Sequence, residues 1–239
     1  MKCIVVIPAR YQSSRPPGKP LVDICGKSMI QRTFERCVMS MPLEDVFIAT
    51  DDDRIRQHCE TFSANVIMTP DDCLTGTDRL ACVAKQIDAD VYINVQGDEP
   101  VISPHDISKI IETAKRNPKS VINGMAEIQD EESFRNPSIP KVVSRPDGRL
   151  LYMSRAAIPT TKAMTFEKAM RQICIYAFPQ AALEAFARQK VKTPLENIED
   201  IEILRFLELD FEVQMIELSG QSYAVDTPED LEKIRRMVQ

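Results

Sequence analysis

Three cations, Arg10, Arg15 and Lys19, fall within ten positions directly after the apolar run Ile4 to Ile7, and no acidic residue occurs before Asp23. A guanidinium fork grips phosphate oxygens, and a lysine acts as a mobile point charge suited to a leaving pyrophosphate. Prolines 16, 17 and 20 restrict the loop's unfolded freedom, and Gly18 permits close backbone approach. A second candidate, Asn94-Val95-Gln96-Gly97-Asp98-Glu99-Pro100, also follows an apolar run. There Asp98 can hold magnesium against phosphate, and Gln96 can hydrogen-bond a neutral or carboxylate group. A third, Ala224-Val225-Asp226-Thr227-Pro228, places another carboxylate at the end of a run. If the two ends adjoin, Asp98 and Asp226 form a magnesium site for a nucleoside triphosphate; otherwise each caps a helix.

Further groups surround these. Gly76-Thr77-Asp78-Arg79 can meet a base edge, with Arg79 stacking or reaching a carbonyl, although Thr77 as an ordinary N-cap fits equally. Lys141, Ser154-Arg155, Arg171, Gln172 and Arg205 supply polar and cationic side chains for a second, anionic substrate. Gly26-Lys27-Ser28 is not the end of a Walker A loop, because that motif needs glycine where Leu21 stands. No GxGxxG follows Ile7, which argues against a nicotinamide-dependent dehydrogenase. His58 and His105 sit near helix starts and support no Ser-His-Asp arrangement, and Asp51 to Asp53 reads as a helix-start cluster.

The elements that must position these groups are legible as alternation. Short apolar runs at 3–7, 46–49, 65–68 and 91–95 have the length of buried parallel strands. Between them, apolar residues at spacings of three and four (Met29, Ile30, Phe34, Cys37; Ile55, Cys59, Phe62; Leu80, Val83, Ala84, Ile87) mark amphipathic helices. Over about the first 115 residues this predicts a parallel sheet with helices on its faces, whose ligands bind at the carboxyl ends of the strands. Ser103-Pro104-Asp106 starts a helix running to Arg116, and Thr227-Pro228-Asp230 starts the terminal helix. Pro146-Asp147-Gly148 predicts a turn between two strands; 199–208 reads as one helix, and 213–216 and 222–225 as strands. The expectation is a single α/β domain over 1–239, with a segment of roughly 120–180 serving acceptor binding and dimerisation.

Composition sets the outer bounds. With 30 Lys and Arg against 36 Asp and Glu, the net charge is -6, which disfavours a large nucleic-acid surface while allowing a local basic pocket. A hydrophobic share of 44% with 28% charged residues fits a globular chain rather than a disordered one. The first apolar run is too short for a leader or a membrane span, so a cytosolic location without stable membrane insertion is expected. Seven cysteines with no CxxC read as free thiols.

Taken together, IPARYQSSRPPGKPL at 7–21, TGTDRLA at 75–81, NVQGDEP at 94–100, LYMSRAAIP at 151–159 and VDTPEDL at 225–231 resemble the 3-deoxy-manno-octulosonate cytidylyltransferases, or CMP-KDO synthetases. The resemblance spans nearly the whole chain and implies a Rossmann-like nucleotidyltransferase fold, with a central mostly parallel sheet flanked by helices. It implies CTP beside the first strand, with Arg10, Arg15 and Lys19 near its phosphates and Thr77 and Arg79 near the nucleotide. It also implies Mg2+ on Asp98 and Asp226. For the acidic 3-deoxy sugar it implies Gln96 and Arg155, together with the segments holding Arg171, Gln172, Glu202 and Arg205, which Lys141 joins on residue type alone. The implied reaction is attack of the sugar's anomeric hydroxyl on the α-phosphorus, with Arg15, Lys19 and Asp98 at the reacting groups, in a homodimer. Two positions depart from the pattern: Gln172 stands at the family histidine, and Ile203 replaces an amide. Both fall in segments expected near the sugar, so a related or amino-substituted 3-deoxy acid stays open, as does a nucleotidyltransferase acting on another sugar. A noncatalytic nucleotide-responsive protein is the remaining alternative.

Overall fold

The computed structural model describes residues 1–12, 17–73 and 75–239; Arg15 lies outside the described residues. The first strand, β1 (Cys3–Ala9), is buried along its whole length, as an uninterrupted apolar run requires. A small hairpin of β2 (Asp23–Ile24) and β3 (Lys27–Ser28) leads into α1 (Met29–Val38), which Ser28 caps by accepting from the Gln31 N–H. The alternation continues through β4 (Val46–Thr50), α2 (Asp53–Glu60), β5 (Asn65–Met68), α3 (Gly76–Ala84), β6 (Val91–Val95) and α4 (Pro104–Arg116). The rhythm then changes to β7 (Val121–Glu127), the short α5 (Glu131–Arg135), the hairpin β8 (Lys141–Ser144) and β9 (Leu150–Ser154), and the long β10 (Met170–Pro179). Helices α6 (Gln180–Arg188), α7 (Pro194–Glu199) and α8 (Ile203–Glu208), strand β11 (Val213–Glu217) and helix α9 (Pro228–Val238) complete the chain.

Nine strands form the main sheet, whose path runs β11-β7-β10-β6-β1-β4-β5, with β8 and β9 branching from β10. β1 lies parallel to both β4 and β6, which sets Val6 beside Asn94 and brings the loops after Ala9 and Val95 together. β10 runs antiparallel between β6 and β7, so its first residues lie at the end where β6 finishes. β7 and β10, from the segment after residue 120, are thus inner strands of the same sheet. Val5 and Ile7 face one apolar layer with Ile30, Phe34 and Ile107, while Ile4 and Val6 face another with Leu80, Leu183 and Phe206. Burial on both faces is what makes the inner strands continuously apolar.

Three expected elements differ. The helix expected over 199–208 is broken, because Asp200 takes a left-handed conformation (φ 52°) and ends α7 before α8 begins. Residues 222–225 form no strand; this stretch is held by the Ser222 hydroxyl on Glu99 and by the Val225 N–H on the Asp98 carbonyl instead. The cap of α3 is Thr75, whose hydroxyl accepts from the Asp78 N–H while Asp78 accepts from the Thr75 N–H; Thr77 is inside the helix.

Candidate active site

The ends of β1 and β6 open into a cavity of about 220 Å³ lined by Arg10, Lys19, Gly76, Arg79, Gln96, Asp98 and Asp226, among others. Close approach of the two loops depends on Gly97: a Cβ there would lie 2.8 Å from the Pro8 carbonyl oxygen. The cationic loop is closed at its base by the Gly18 N–H, which donates to the Tyr11 carbonyl at 2.7 Å, with Gly18 left-handed at φ 82°. Lys19 follows in a short 3-10 turn that aims its side chain into the cavity.

Asp98 and Asp226, 128 positions apart in the sequence, meet there. Lys19 Nζ donates to Asp98 Oδ2 at 2.8 Å and to Asp226 Oδ1 at 3.1 Å. Burial by itself would lower the lysine's pKa, but the two carboxylates outweigh it and the net shift is upward. The ammonium therefore stays charged. Among the described residues, no three His, Cys, Asp or Glu side chains gather into a metal cage. Magnesium does not need one beside a triphosphate, because one or two carboxylates with phosphate oxygens and water suffice. Two carboxylates drawn onto one positive group are a donor set of that kind.

Arg79 lines the cavity as a buttress. It is fully buried, and donates through Nη2 to Asp51 Oδ2 at 2.7 Å and through Nη1 to Thr69 Oγ1. Asp51, read from the sequence as part of a helix-start cluster, is thus its counter-ion, while Asp52 is the cap of α2. Thr77 is buried, and its N–H donates to Glu202 Oε2 at 3.2 Å. Burial pushes the Glu202 carboxyl upward, partly opposed by the bonds from Thr77.

A polar strip leads away from Gln96 across the sheet. Gln96 Nε2 donates to Asn94 Oδ1 at 3.4 Å, and Asn94, fully buried, pairs in register with Tyr176 on β10. Gln172 Nε2 donates to Asn123 Oδ1 at 3.0 Å and to the Tyr176 hydroxyl at 3.3 Å. The Asn94 Nδ2 group is buried with no hydrogen-bond partner among the described residues. Asn123 and Tyr176, like Asn94, are polar residues inside otherwise apolar strands, and that interruption is their signal in the sequence.

The remaining expected acceptor groups stand outside the cavity. Lys141 is buried and donates to the Asn136 and Ile139 carbonyls at 2.9 and 2.7 Å. Arg155 closes the end of α7, donating to the Glu199 and Asp200 carbonyls at 2.5 and 3.0 Å and to the Pro137 carbonyl at 2.9 Å. Arg171 donates to the Gly220 carbonyl at 2.9 Å. Arg205, 1% exposed, makes a fork onto Glu196 at 2.5 and 2.6 Å and lies over the Phe186 ring. Glu99, adjacent to Asp98, is 3% exposed and accepts from the Ser222 hydroxyl; burial raises its pKa to about 8.

With this geometry in hand, similarity to known proteins is specific. The family model for cytidylyltransferases matches residues 4–216. A 3-deoxy-manno-octulosonate cytidylyltransferase of Escherichia coli is 36% identical over 237 residues, covering 99% of this chain and 96% of the relative. An 8-amino-3,8-dideoxy-manno-octulosonate cytidylyltransferase of Shewanella halifaxensis is 37% identical over 236 residues, covering 97% and 96%. The solved structure of a CMP:2-keto-3-deoxy-manno-octonic acid synthetase complexed with CTP is 37% identical, with a TM-score of 0.93 over 100% of this chain and 98% of that one.

Proposed function

Because the chain belongs to the 3-deoxy-manno-octulosonate cytidylyltransferase family, we propose that it transfers a cytidylyl group from CTP to the anomeric hydroxyl of 3-deoxy-manno-octulosonate. The products are a CMP-sugar and pyrophosphate. The observation that carries this reading is the convergence of Asp98 and Asp226 on Lys19 Nζ at the mouth of β1 and β6.

In this reading Arg10, Arg15 and Lys19 receive the triphosphate. Lys19 shifts from the two carboxylates to phosphate oxygens, holding a positive charge where pyrophosphate leaves. Asp98 and Asp226 then face a cation supplied with the nucleotide, and would hold Mg2+. When bound, that ion supplies charge neutralisation on the triphosphate and orients it. Arg79 and Thr77 act through position: the Arg79-Asp51 pair supports the cavity wall, and Glu202 fixes the first turn of α3. Gln96 faces the cavity and hydrogen-bonds the acid acceptor; Gln172 and Tyr176 extend the polar surface from it. Bringing the hydroxyl into line with the α-phosphorus is the main contribution these groups make to rate. Among the described residues no helix is long and apolar enough to cross a membrane; the reading is completed by a homodimer acting in the cytoplasm.

The test crosses CTP, ATP, GTP and UTP with 3-deoxy-manno-octulosonate and its 8-amino-8-deoxy analogue, with and without Mg2+, and follows pyrophosphate and nucleotide-sugar. CMP-3-deoxy-manno-octulosonate should form fastest and only with the metal. Faster transfer to the amino sugar would reassign the acceptor, and nucleotide binding without pyrophosphate release would end the enzymatic reading. Light scattering at micromolar concentration should give twice the chain mass.

A further inference from the structure

After β11 the chain leaves the sheet and crosses residues 219–226 as a strap without strand partners before entering α9. Its beginning is anchored away from the cavity: Ser219 donates through its N–H and hydroxyl to Asp106 on α4, and the Gly220 carbonyl accepts from Arg171. Nearer Asp226, and besides the Lys19 bridge between the two carboxylates, two bonds among the described residues tie the strap to the loop after β6. The Ser222 hydroxyl donates to Glu99 Oε2, and the Val225 N–H donates to the Asp98 carbonyl at 3.0 Å. We propose that these ties, on a reading of Asp98 and Asp226 as one working pair, form a fastening that sets the separation of the two carboxylates. Glu99 and Ser222 are then positioning residues for nucleotidyl transfer.

The placement of the two side chains argues for this role. Each is 3% exposed, so neither can exchange its partner for water without opening the strap. Glu99 immediately follows Asp98, so the bond joins the backbone beside one carboxylate to the segment carrying the other. Asp226 itself is mostly exposed, with a side-chain exposure of 73% against 32% for Asp98. Its own N–H is bonded to Asp230 on α9, which seats it on the helix without fixing the helix start against the β6 loop. Val225 adds an apolar contact with Ile24, Met29 and Ile234, but apolar packing tolerates sliding that a directional buried hydrogen bond does not. Lys19 bridges the two carboxylates; once that ammonium turns to phosphate the like charges favour separation, and the fastening opposes it.

The full-length chain tests this with Ser222→Ala, Glu99→Gln and Glu99→Ala, read by amide hydrogen exchange and by steady-state kinetics. Ser222→Ala should speed exchange over 219–226 at least about tenfold while sparing β11 and the middle of α9. It should also lower kcat about tenfold, raise the Mg2+ concentration for half-maximal rate, and leave KM for CTP within about twofold. Glu99→Gln keeps an acceptor for Ser222 and should hold exchange near wild type, whereas Glu99→Ala should match Ser222→Ala. Should Glu99→Ala fail to fold, Ser222→Ala decides alone. Unchanged exchange in Ser222→Ala overturns the fastening, as does faster exchange with unchanged kcat. Absence of CTP-dependent pyrophosphate release in the wild-type chain instead overturns the functional reading, and the exchange result still decides whether the fastening exists.

Discussion

Lys19 is held by two groups that the proposed reaction would have it release. Its ammonium bonds both Asp98 and Asp226, and their charges keep it protonated despite its burial. A triphosphate entering the cavity offers it denser negative charge, and the freed carboxylates then require another cation. This exchange makes opposite demands of the two sides, which substitution separates. Lys19→Met should lower kcat/KM for CTP about a hundredfold, since a charge aimed at the leaving group is lost, while the fold persists. Asp98→Asn and Asp226→Asn change size little and remove charge, so turnover should fall about 100- to 1,000-fold and the response to added Mg2+ should flatten. Steady-state rates over a Mg2+ titration measure both effects. Near wild-type turnover in the two Asn variants would remove the carboxylate pair from the mechanism.

At the scale of elements, the break between α7 and α8 shows how tertiary bonds override a helical pattern. Glu199, at the end of α7, accepts from the Ser154 hydroxyl at 2.6 Å, the Arg155 N–H at 2.9 Å and the Tyr152 hydroxyl at 3.2 Å. Partial burial would raise its pKa, but these bonds prevail and the net shift is downward. A carboxyl depressed on folding contributes stability that is fully present above its unfolded value of about 4.5 and is lost as pH falls through the folded value. Glu199→Gln should therefore lower the melting temperature at pH 7 and narrow its gap to wild type as pH falls below about 4.5; a gap constant from pH 7 to pH 3 would contradict this. The same contacts explain which elements were legible in the sequence. β6 and α4 lie where the apolar run and the Ser103-Pro104-Asp106 start place them, because burial on two faces or one stripe is written in residue types, and β5 lies at its apolar run although it is an edge strand. Residues 222–225, expected as a strand from their Ser-Tyr-Ala-Val pattern, belong instead to the strap, as their bonds to Glu99 and Asp98 show. Likewise the motif residues Lys19, Gln96, Asp98 and Asp226 were legible as a cavity, whereas counter-ions such as Asp51 for Arg79 depend on which loops the sheet brings together.

At the scale of the molecule, one face of the sheet is closed by α3, α6 and α8, and a buried ion pair, with bonds from Leu195 and Glu196 to Glu208, pins α7 to α8. Arg205 and Glu196 are each 1% exposed at the side chain, and the guanidinium also lies 3.6 Å from the Phe186 ring centroid on α6. Phe186 stacks on Phe206, which stacks on Phe178 of β10, so the pair is continuous with the packing that holds the strand bearing Gln172 and Tyr176. An arginine in this setting organises this side of the sheet through packing. Removing one partner of a buried pair leaves the other charge uncompensated, at about 3–5 kcal/mol, so Arg205→Met should lower the melting temperature by about 10 °C. A group that touched the sugar would behave differently, raising KM for the acceptor in enzyme that remains folded. Arg205→Met assayed well below its melting point should therefore keep KM for both substrates within about twofold, and Glu196→Gln with Arg205→Met should cost less stability than the two single losses combined. A rise of tenfold or more in the acceptor KM with an unchanged melting temperature would move Arg205 from the packing of the molecule into its binding site.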